Sequence, residues 1–352
     1  MRLFTVGPVM MYPETLEQSG KQLPYFRTAE FSETMLDSEM ILKKLLGADE
    51  QYKVAFLTAS GTGAMESIVS CAFTSKDNVL VVNGGGFGKR FTEICSVHGI
   101  PFNEIVPEKN KDLDEKDYSH FDGKGYKAIL VNMDETSTGQ LYDIKALSRF
   151  CKKNGMYLIV DAISAFLADP INMIEDGIDA VVISSQKALA LEPGISAVVL
   201  SPRLYEERIL KIKSPTYYLD LEHHIYDQKR GQTPFTPAVG TLLCLNTMLH
   251  SIESQGIENK IAETAELAKY FRKGLEELGI KIPNYNLSNA VTPVLFEGNA
   301  IEIYDTLRNV YDITVTPSGG ELKECMLRVG HIGNVTKQDY DVLLSALKEI
   351  HT

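Results

Sequence analysis

A chain of 352 residues with 44% hydrophobic residues is long enough for a large buried core and suggests two domains. Its formal net charge of -12 argues against nucleic acid or an anionic membrane surface as the main partner. No apolar stretch reaches transmembrane length, and the first residues have too short an apolar run for a signal peptide, so we expect a cytoplasmic protein.

Short apolar runs alternate with helical patterns through the first two thirds of the chain. That alternation predicts crossover connections and a mostly parallel sheet with helices on both faces, which is an α/β fold. A run at 195–200 is expected to pair antiparallel to the others. The expected parallel strands lie at 54–57, 78–82, 127–132, 157–160 and 180–183.

The pattern changes after Pro237, where two long helices are followed by a smaller α+β pattern. We find no internal repeat and no low-complexity linker, so we place the domain boundary inside or beside a helix, near residue 253. The sequence predicts a large domain over residues 16–252 and a small C-terminal domain over 253–352, with an N-terminal segment, 1–15, associated with the small domain.

The cysteines stand singly along the chain, without any C-x-x-C pair. Their number is odd and most lie in apolar stretches, so we expect free core thiols rather than disulfides or a zinc site, and no metal centre. The five are Cys71, Cys95, Cys151, Cys244 and Cys325.

Lys187 is the first candidate for chemistry, because it follows the apolar run 180–183 after only three polar residues. In open α/β sheets, ligands bind outside the carboxyl ends of the strands. A lysine in a dry site loses ammonium character and can attack carbonyls, including the aldehyde of pyridoxal phosphate. Taken alone, a lysine in this position is most often a surface lysine that follows a strand.

Two further charged residues adjoin apolar runs, Asp161 after one and Arg328 within another. Asp161 follows the apolar run 157–160, where a carboxylate is costly unless a cation such as a protonated pyridine nitrogen meets it; a helix cap onto Ser164 is the alternative. Arg328 lies among apolar neighbours and suits a planar anion such as a substrate carboxylate, or a structural salt bridge.

Two glycine-rich segments complete the candidates. Residues 58–64 follow a strand and open a helix, so they could cradle a phosphate or simply form a tight turn. Residues 83–90 fit neither a Walker loop nor a dinucleotide fingerprint. The remaining candidate in this segment is Phe87, whose ring could stack on a planar ligand or could be an ordinary core residue.

Six motifs in this order resemble class V aminotransferases of pyridoxal phosphate fold type I. The likeness spans nearly the whole chain and is nearest to alanine or serine:glyoxylate and 2-aminoethylphosphonate:pyruvate transaminases. It implies a seven-stranded type of mostly parallel sheet flanked by helices, with a smaller α+β domain. The motifs are S-G-T-G-A-M-E (60–66), G-x-F-G-x-R (85–90), E-T-S-T-G (135–139), V-D-A (160–162), S-Q-K-A-L (185–189) and L-R-x-G (327–330).

The resemblance implies roles for individual residues. Lys187 would carry pyridoxal 5'-phosphate and shuttle the Cα proton, Asp161 would pair with the pyridine nitrogen, and Arg328 would bind the substrate carboxylate. Thr233 and Thr236 would reach the phosphate of a partner subunit, which implies a homodimer with shared active sites. The other implied cofactor contacts are Thr62, Gly63, Ala64, Phe87, Thr136 and Gln186.

The implied activity is transfer of an amino group from a small amino acid, of the alanine, serine or 2-aminoethylphosphonate type, to glyoxylate or pyruvate. Phe26 stands where the family usually has histidine, so the substrate contact there is open. A cysteine desulfurase or selenocysteine lyase of the same fold is the alternative enzyme, although Cys325, three residues before Arg328, is poorly placed as its nucleophile. A cofactor-binding module without activity is the non-enzymatic alternative.

Overall fold

The computed structural model describes residues 1–351. The strands within that range are β1 (Arg2–Leu3), β2 (Lys53–Leu57), β3 (Val79–Val82), β4 (Phe102–Ile105), β5 (Ala128–Asn132), β6 (Asp134–Glu135), β7 (Gln140–Leu141), β8 (Tyr157–Asp161), β9 (Ala180–Ser184), β10 (Ser196–Leu200), β11 (Val291–Leu295), β12 (Ile313–Thr314), β13 (Thr316–Pro317) and β14 (Met326–Gly330).

The α-helices of the same range are α1 (Pro13–Ser19), α2 (Ala29–Leu45), α3 (Gly61–Ala72), α4 (Gly86–Val97), α5 (Glu115–Tyr118), α6 (Ile144–Asn154), α7 (Pro202–Leu204), α8 (Leu221–Gln228), α9 (Val239–Gln255), α10 (Ile257–Glu277), α11 (Ala300–Val310) and α12 (Lys337–His351). None of these helices combines the length and the apolar character needed to cross a bilayer.

A seven-stranded sheet in the order β2-β10-β9-β8-β5-β3-β4 forms the centre of the structure. Its neighbours are parallel except around β10, which pairs antiparallel with β2 and β9. The predicted α/β fold, with a mostly parallel sheet and an antiparallel strand near residue 195, is therefore confirmed. Strand β4 was not predicted, because Asn103 and Glu104 interrupt its apolar pattern with exposed polar side chains.

Both faces of this sheet are buried, which explains the unbroken apolar runs. In β9, Val181 and Ile183 pack into the core on one face, while Ala180 and Val182 pack into the core on the other. Helices therefore cover the sheet on both sides, and the carboxyl ends of the parallel strands form the edge at which a ligand can be reached.

A second, three-stranded sheet in the order β11-β14-β13 lies in the C-terminal part and has its own core, which includes Phe271 and Tyr340. Phe4 belongs to that core, and β1 pairs in parallel with β12. The N-terminal residues thus pack against the C-terminal part. The predicted domain boundary at residue 253 falls within α9 and stays a prediction.

Candidate active site

Lys187 lies in the loop that connects β9 to the antiparallel β10. Ser185 anchors this loop through its backbone amide, which donates to Ile195, and its hydroxyl, which donates to Glu192 O at 2.6 Å. The lysine side chain is only 8% exposed, and its Nζ donates to the backbone carbonyl of Val6. Burial lowers the pKa of Lys187 to about 8, so its amine loses the proton much more readily than that of an exposed lysine.

The N-terminal segment closes over this lysine. Gly7 has φ +126°, a conformation that favours glycine, and a Cβ there would lie 2.7 Å from Lys187 Cδ. Val6 is held in turn by its backbone amide, which donates to Thr316 Oγ1 at 3.1 Å. The segment therefore links the lysine to the C-terminal sheet.

Asp161 ends β8, next to β9 in the sheet, and is 5% exposed. Its Oδ2 accepts from Asn132 Nδ2 at 2.6 Å, and its Oδ1 accepts from the backbone amide of Ile163 at 2.8 Å. The bond that closes the turn thus comes from Ile163 and not from Ser164. Burial raises the pKa of Asp161 to about 6, and the charge of Lys187 opposes that rise. The acid and the lysine therefore share one site.

A turn of three glycines leads into α4 and positions Phe87. The buried Glu135 holds this turn, because its carboxylate accepts from the backbone amides of Phe87, at 3.1 Å, and Gly88, at 2.8 Å. The Phe87 ring centroid lies 6.0 Å from Lys187 Nζ, and Arg90 Cζ lies 4.8 Å from the same centroid. An aromatic face is therefore presented beside the amine.

The first turn of α3 meets Arg90 on this side. Arg90 Nη1 donates to Thr62 Oγ1 at 3.1 Å, which brings a guanidinium to the helix N-terminus. The backbone amides of Gly63 and Ala64 already donate to Ser60 O, at 2.9 and 3.3 Å. An anion here would meet the Thr62 hydroxyl and the Arg90 cation together with the positive end of the helix dipole.

Arg328 projects from β14 toward the same region. Its Nη1 donates to Thr136 O at 3.0 Å and its Nη2 to Pro317 O at 2.9 Å, while its buried Nε has no hydrogen-bond partner within residues 1–351. Arg328 lines a cleft of about 680 Å³ together with Gly85, Ser137 and other residues. The guanidinium is thus oriented by carbonyls and has a donor to spare.

Thr136 connects these groups to the turn that follows Asp161. Its hydroxyl is 2.8 Å from Ser164 Oγ, and its carbonyl accepts from Arg328. Gln186, beside the lysine, accepts at its Oε1 from Ser184 Oγ at 2.6 Å.

Thr233 and Thr236 lie in the segment between α8 and α9. Thr233 is buried; its carbonyl accepts from Arg27 Nη1 at 2.7 Å and its hydroxyl donates to Phe235 O at 2.7 Å. Thr236 is exposed. The contacts of these two residues do not connect them to Lys187 of their own chain, and their predicted role in a partner's site stays a prediction.

Comparison with known proteins identifies the family. The model of the family described as Aminotransferase class-V matches residues 18–321. The chain belongs to the class V aminotransferases. The soluble hydrogenase small subunit of Synechococcus sp. (strain PCC 6716) is 32% identical to it, over 99% of this chain and 92% of that protein. The alanine–glyoxylate aminotransferase of Mus musculus is 29% identical, over 83% of this chain and 74% of that protein.

A solved structure agrees with this assignment. The aspartate aminotransferase of subgroup IV from Thermus thermophilus is 27% identical, covers 99% of both chains and superimposes with a TM-score of 0.92. The class V family, the fold type and the aminotransferase class of enzyme, all predicted from the six motifs, are therefore confirmed.

Two acids of this class V aminotransferase were given no role in the sequence analysis. Asp134 and Glu135 come directly after Asn132 and Met133 at the carboxyl end of β5, the strand beside β8. The argument that singled out Asp161, an acid at the end of a buried strand, applies to both of them. That signal could have found them from the sequence.

Proposed function

We propose that this class V aminotransferase uses pyridoxal 5'-phosphate to move an amino group from a small amino acid to glyoxylate or pyruvate. The donors that we propose are of the alanine, serine or 2-aminoethylphosphonate type. We further propose that it works in the cytoplasm as a homodimer with shared active sites. The observation that carries the proposal is the burial of Lys187 and Asp161 in one site with Arg328 beside them.

The donor set around Lys187 fits this cofactor. A buried carboxylate at Asp161 suits a ring nitrogen, and the Phe87 ring suits a planar face. Thr62 at the start of α3 and Arg90, which reaches it from α4, suit a phosphate.

Unsatisfied polar atoms also support a bound group. Asn132 Oδ1 and Arg328 Nε are buried and have no partner among the described residues. Buried polar atoms are almost always hydrogen-bonded, so these two unpaired atoms favour a bound group that supplies their partners.

When bound, pyridoxal phosphate supplies an aldehyde for covalent attachment and a ring that accepts electrons from the bonds at the substrate Cα. The amine of Lys187 provides the attachment point and, once released, takes the proton from Cα and returns it. The Val6 carbonyl is the acceptor that holds this amine while it is free. Ionised Asp161 holds a proton on the ring nitrogen.

The substrate carboxylate is assigned to Arg328. A guanidinium held by two carbonyls, with its Nε unpaired, is oriented before the substrate arrives. Such preorganisation reduces the entropy lost on binding and favours a planar carboxylate.

A homodimer is supported by the surface along the middle of α2. Leu36 and Met40 are 41% and 62% exposed and line a groove of about 640 Å³ with Lys229. The segment that contains Thr233 lies close by, because Gln232 Nε2 donates to Ser32 Oγ at 2.7 Å. A second copy on this surface would cover the apolar side chains and bring Thr233 to an interface.

The activity is tested by single half-reactions. The purified protein, loaded with pyridoxal phosphate, is mixed with L-alanine, L-serine or 2-aminoethylphosphonate without an acceptor. We expect an oxo product and aminated cofactor in equal amounts with at least one donor, and recovery of the starting cofactor on addition of glyoxylate or pyruvate. Lys187→Ala is the control that should give neither. Absence of both products with all donors would refute the proposal.

Cys325 keeps cysteine desulfurization as a second candidate function, because its thiol is exposed whereas the other four cysteines are buried. Its backbone is fixed, however, since its amide donates to Leu322 O and its carbonyl accepts from Phe296. A nucleophile that must travel into the site needs a longer mobile loop than this. If the protein releases sulfide from L-cysteine and the Cys325→Ser variant does not, cysteine desulfurization becomes the favoured function and transamination the second candidate.

A further inference from the structure

We infer that Thr316 is a positioning residue for Lys187, because its hydroxyl fixes the N-terminal segment where the Val6 carbonyl meets the lysine amine. This inference deepens the proposed function and rests on it in naming Lys187 as the working amine. The contacts that carry it are made within the chain itself, so its first test needs neither cofactor nor substrate.

The N-terminal segment begins as a parallel partner of β12. The amide of Arg2 and, two residues on, the amide of Phe4 donate to backbone carbonyls beside it, the latter to Thr314 O at 2.8 Å. Because bonds in a parallel ladder are evenly spaced, the next step would bring the Val6 amide to the Thr316 carbonyl. That amide donates instead to the Thr316 hydroxyl, at 3.1 Å. The ladder therefore ends on a side chain.

The strand pairing of Thr316 explains this change. Thr316 belongs to β13, the edge strand of the three-stranded sheet, and is the register partner of Arg328 in β14. Its backbone thus pairs with β14, while its hydroxyl receives the N-terminal segment. Val6 is buried, and a buried amide that loses its acceptor is costly. One threonine therefore connects the strand of Arg328 to the segment that covers Lys187.

The position of Val6 determines where the lysine amine is held. The Val6 carbonyl accepts from Lys187 Nζ. The following residue, Gly7, lies so close that a Cβ there would be 3.0 Å from Lys187 Cε and 3.1 Å from Nζ. Any shift of this stretch therefore changes both the acceptor of the amine and the cover over it.

The stretch around Val6 lies between two other fixed points. Before it, Phe4 O accepts from the Gly330 amide at 2.7 Å, at the end of β14. After it, Met10 O accepts from the Asn334 amide at 2.9 Å. The hydroxyl of Thr316 holds the chain between these points, so its loss should free this stretch without detaching the whole segment.

The role in the reaction follows from these contacts. The released amine of Lys187 has to be aimed at the substrate Cα to move its proton, and a fixed carbonyl restricts the orientations of that amine. A substitution that removes only the hydroxyl of Thr316 leaves its backbone pairing with Arg328 in place. Proton transfer should therefore suffer while binding of the substrate carboxylate does not.

The first test measures the reactivity of Lys187 in the cofactor-free protein. Formaldehyde with cyanoborohydride methylates free amines, and mass spectrometry of the peptide that contains Lys187 gives the rate at pH 7. Thr316→Val keeps the branched shape but removes the acceptor of the Val6 amide, so the stretch moves away from the lysine. We expect methylation of Lys187 to accelerate by about three- to tenfold. Amide hydrogen exchange in the peptide that contains Val6 should accelerate in the same variant.

Two variants control this test. Thr316→Ser keeps the hydroxyl, so its methylation rate should stay close to that of the wild type. In Thr314→Val the rate should also stay close, because Thr314 is likewise half-buried but meets the segment through its backbone carbonyl. If Thr316→Val does not fold, Thr316→Ala removes the same acceptor. A wild-type rate in the folded variant, or an equal acceleration in either control, overturns the inference.

The second test uses the donor that reacts in the half-reactions, together with its Cα-deuterated form. In Thr316→Val we expect kcat to fall, KM for the donor to change little and the Cα-deuterium isotope effect to rise, because proton transfer becomes slower relative to the other steps. A loss of folded enzyme alone lowers kcat with an unchanged isotope effect, and that result would contradict the positioning role. If no donor reacts, the proposed function is refuted, whereas the methylation rates still decide the role of Thr316.

Discussion

Asn132 and Asp161 are register partners at the carboxyl ends of β5 and β8, and the Asn132 amide donates to the Asp161 carboxylate at 2.6 Å. This bond favours the ionised acid and so opposes the effect of burial, which raises the pKa of Asp161 to about 6. The parallel sheet thereby places the donor that keeps a buried acid charged near neutral pH.

Asn132→Ala should raise the pKa of Asp161 further, because the charged form loses a donor. If the ionised acid holds the cofactor ring, the affinity for pyridoxal phosphate should fall as the pH is lowered and Asp161 takes up a proton. In the variant this fall should begin at a higher pH than in the wild type. Titration of the dissociation constant between pH 5 and pH 8 measures the difference, and the cofactor's own titration cancels between the two proteins. Identical pH profiles for the two proteins would contradict the proposed pairing of Asp161 with the ring nitrogen.

Glu135→Gln should loosen the glycine turn that carries Phe87. A glutamine can accept at only one of its two side-chain ends, so it cannot keep the amides of Phe87 and Gly88, which share Oε2, together with the amide of Ser137 on Oε1, and the lost partner costs about 1–3 kcal/mol. We expect a lower melting temperature and weaker cofactor binding. Glu104→Gln is the control, since Glu104 is an exposed acid of β4 that accepts from Asn83, just after β3, at 2.5 Å. Equal effects of the two substitutions would argue against a special role for Glu135.

Much of the sheet could be predicted because buried parallel strands are continuous apolar runs, as 180–183 illustrates. The ends of those runs also predicted Lys187 and Asp161. By contrast, the contact between Lys187 and Val6 joins residues 181 positions apart and leaves no local pattern. The hydrogen bond from Gly88 to Glu135 spans 47 positions, so the periodicity of the sequence does not predict it either.

Arg328→Lys should weaken the use of carboxylate-bearing donors. Lysine keeps the charge but loses the planar fork, and a charge-assisted hydrogen bond contributes about 1.5–3 kcal/mol, so kcat/KM should fall by roughly 10- to 100-fold. Arg203→Lys is the matched control, because Arg203 also donates to backbone carbonyls, at Gly155 and Met156. A fall confined to kcat, without a change in KM, would contradict the carboxylate assignment.

Lys187→Met should stabilise the cofactor-free protein at neutral pH. The pKa of Lys187 falls from 10.5 to about 8 on folding, so the unfolded chain holds more protons between these values and the wild-type free energy of unfolding rises with pH across that window. Below pH 8 the buried ammonium costs on the order of 3 kcal/mol. Urea unfolding at pH 7 and at pH 10.5 should give a variant advantage at the lower pH that shrinks at the higher one. An advantage that is independent of pH would indicate packing alone.

The covalent role of Lys187 is the central claim, and borohydride reduction tests it most directly. The protein loaded with pyridoxal phosphate is reduced, digested and analysed by mass spectrometry. We predict that the cofactor mass appears on the peptide that contains Lys187 and is absent from Lys187→Ala treated in parallel. Attachment to a different lysine, or no stable attachment at all, would contradict the account.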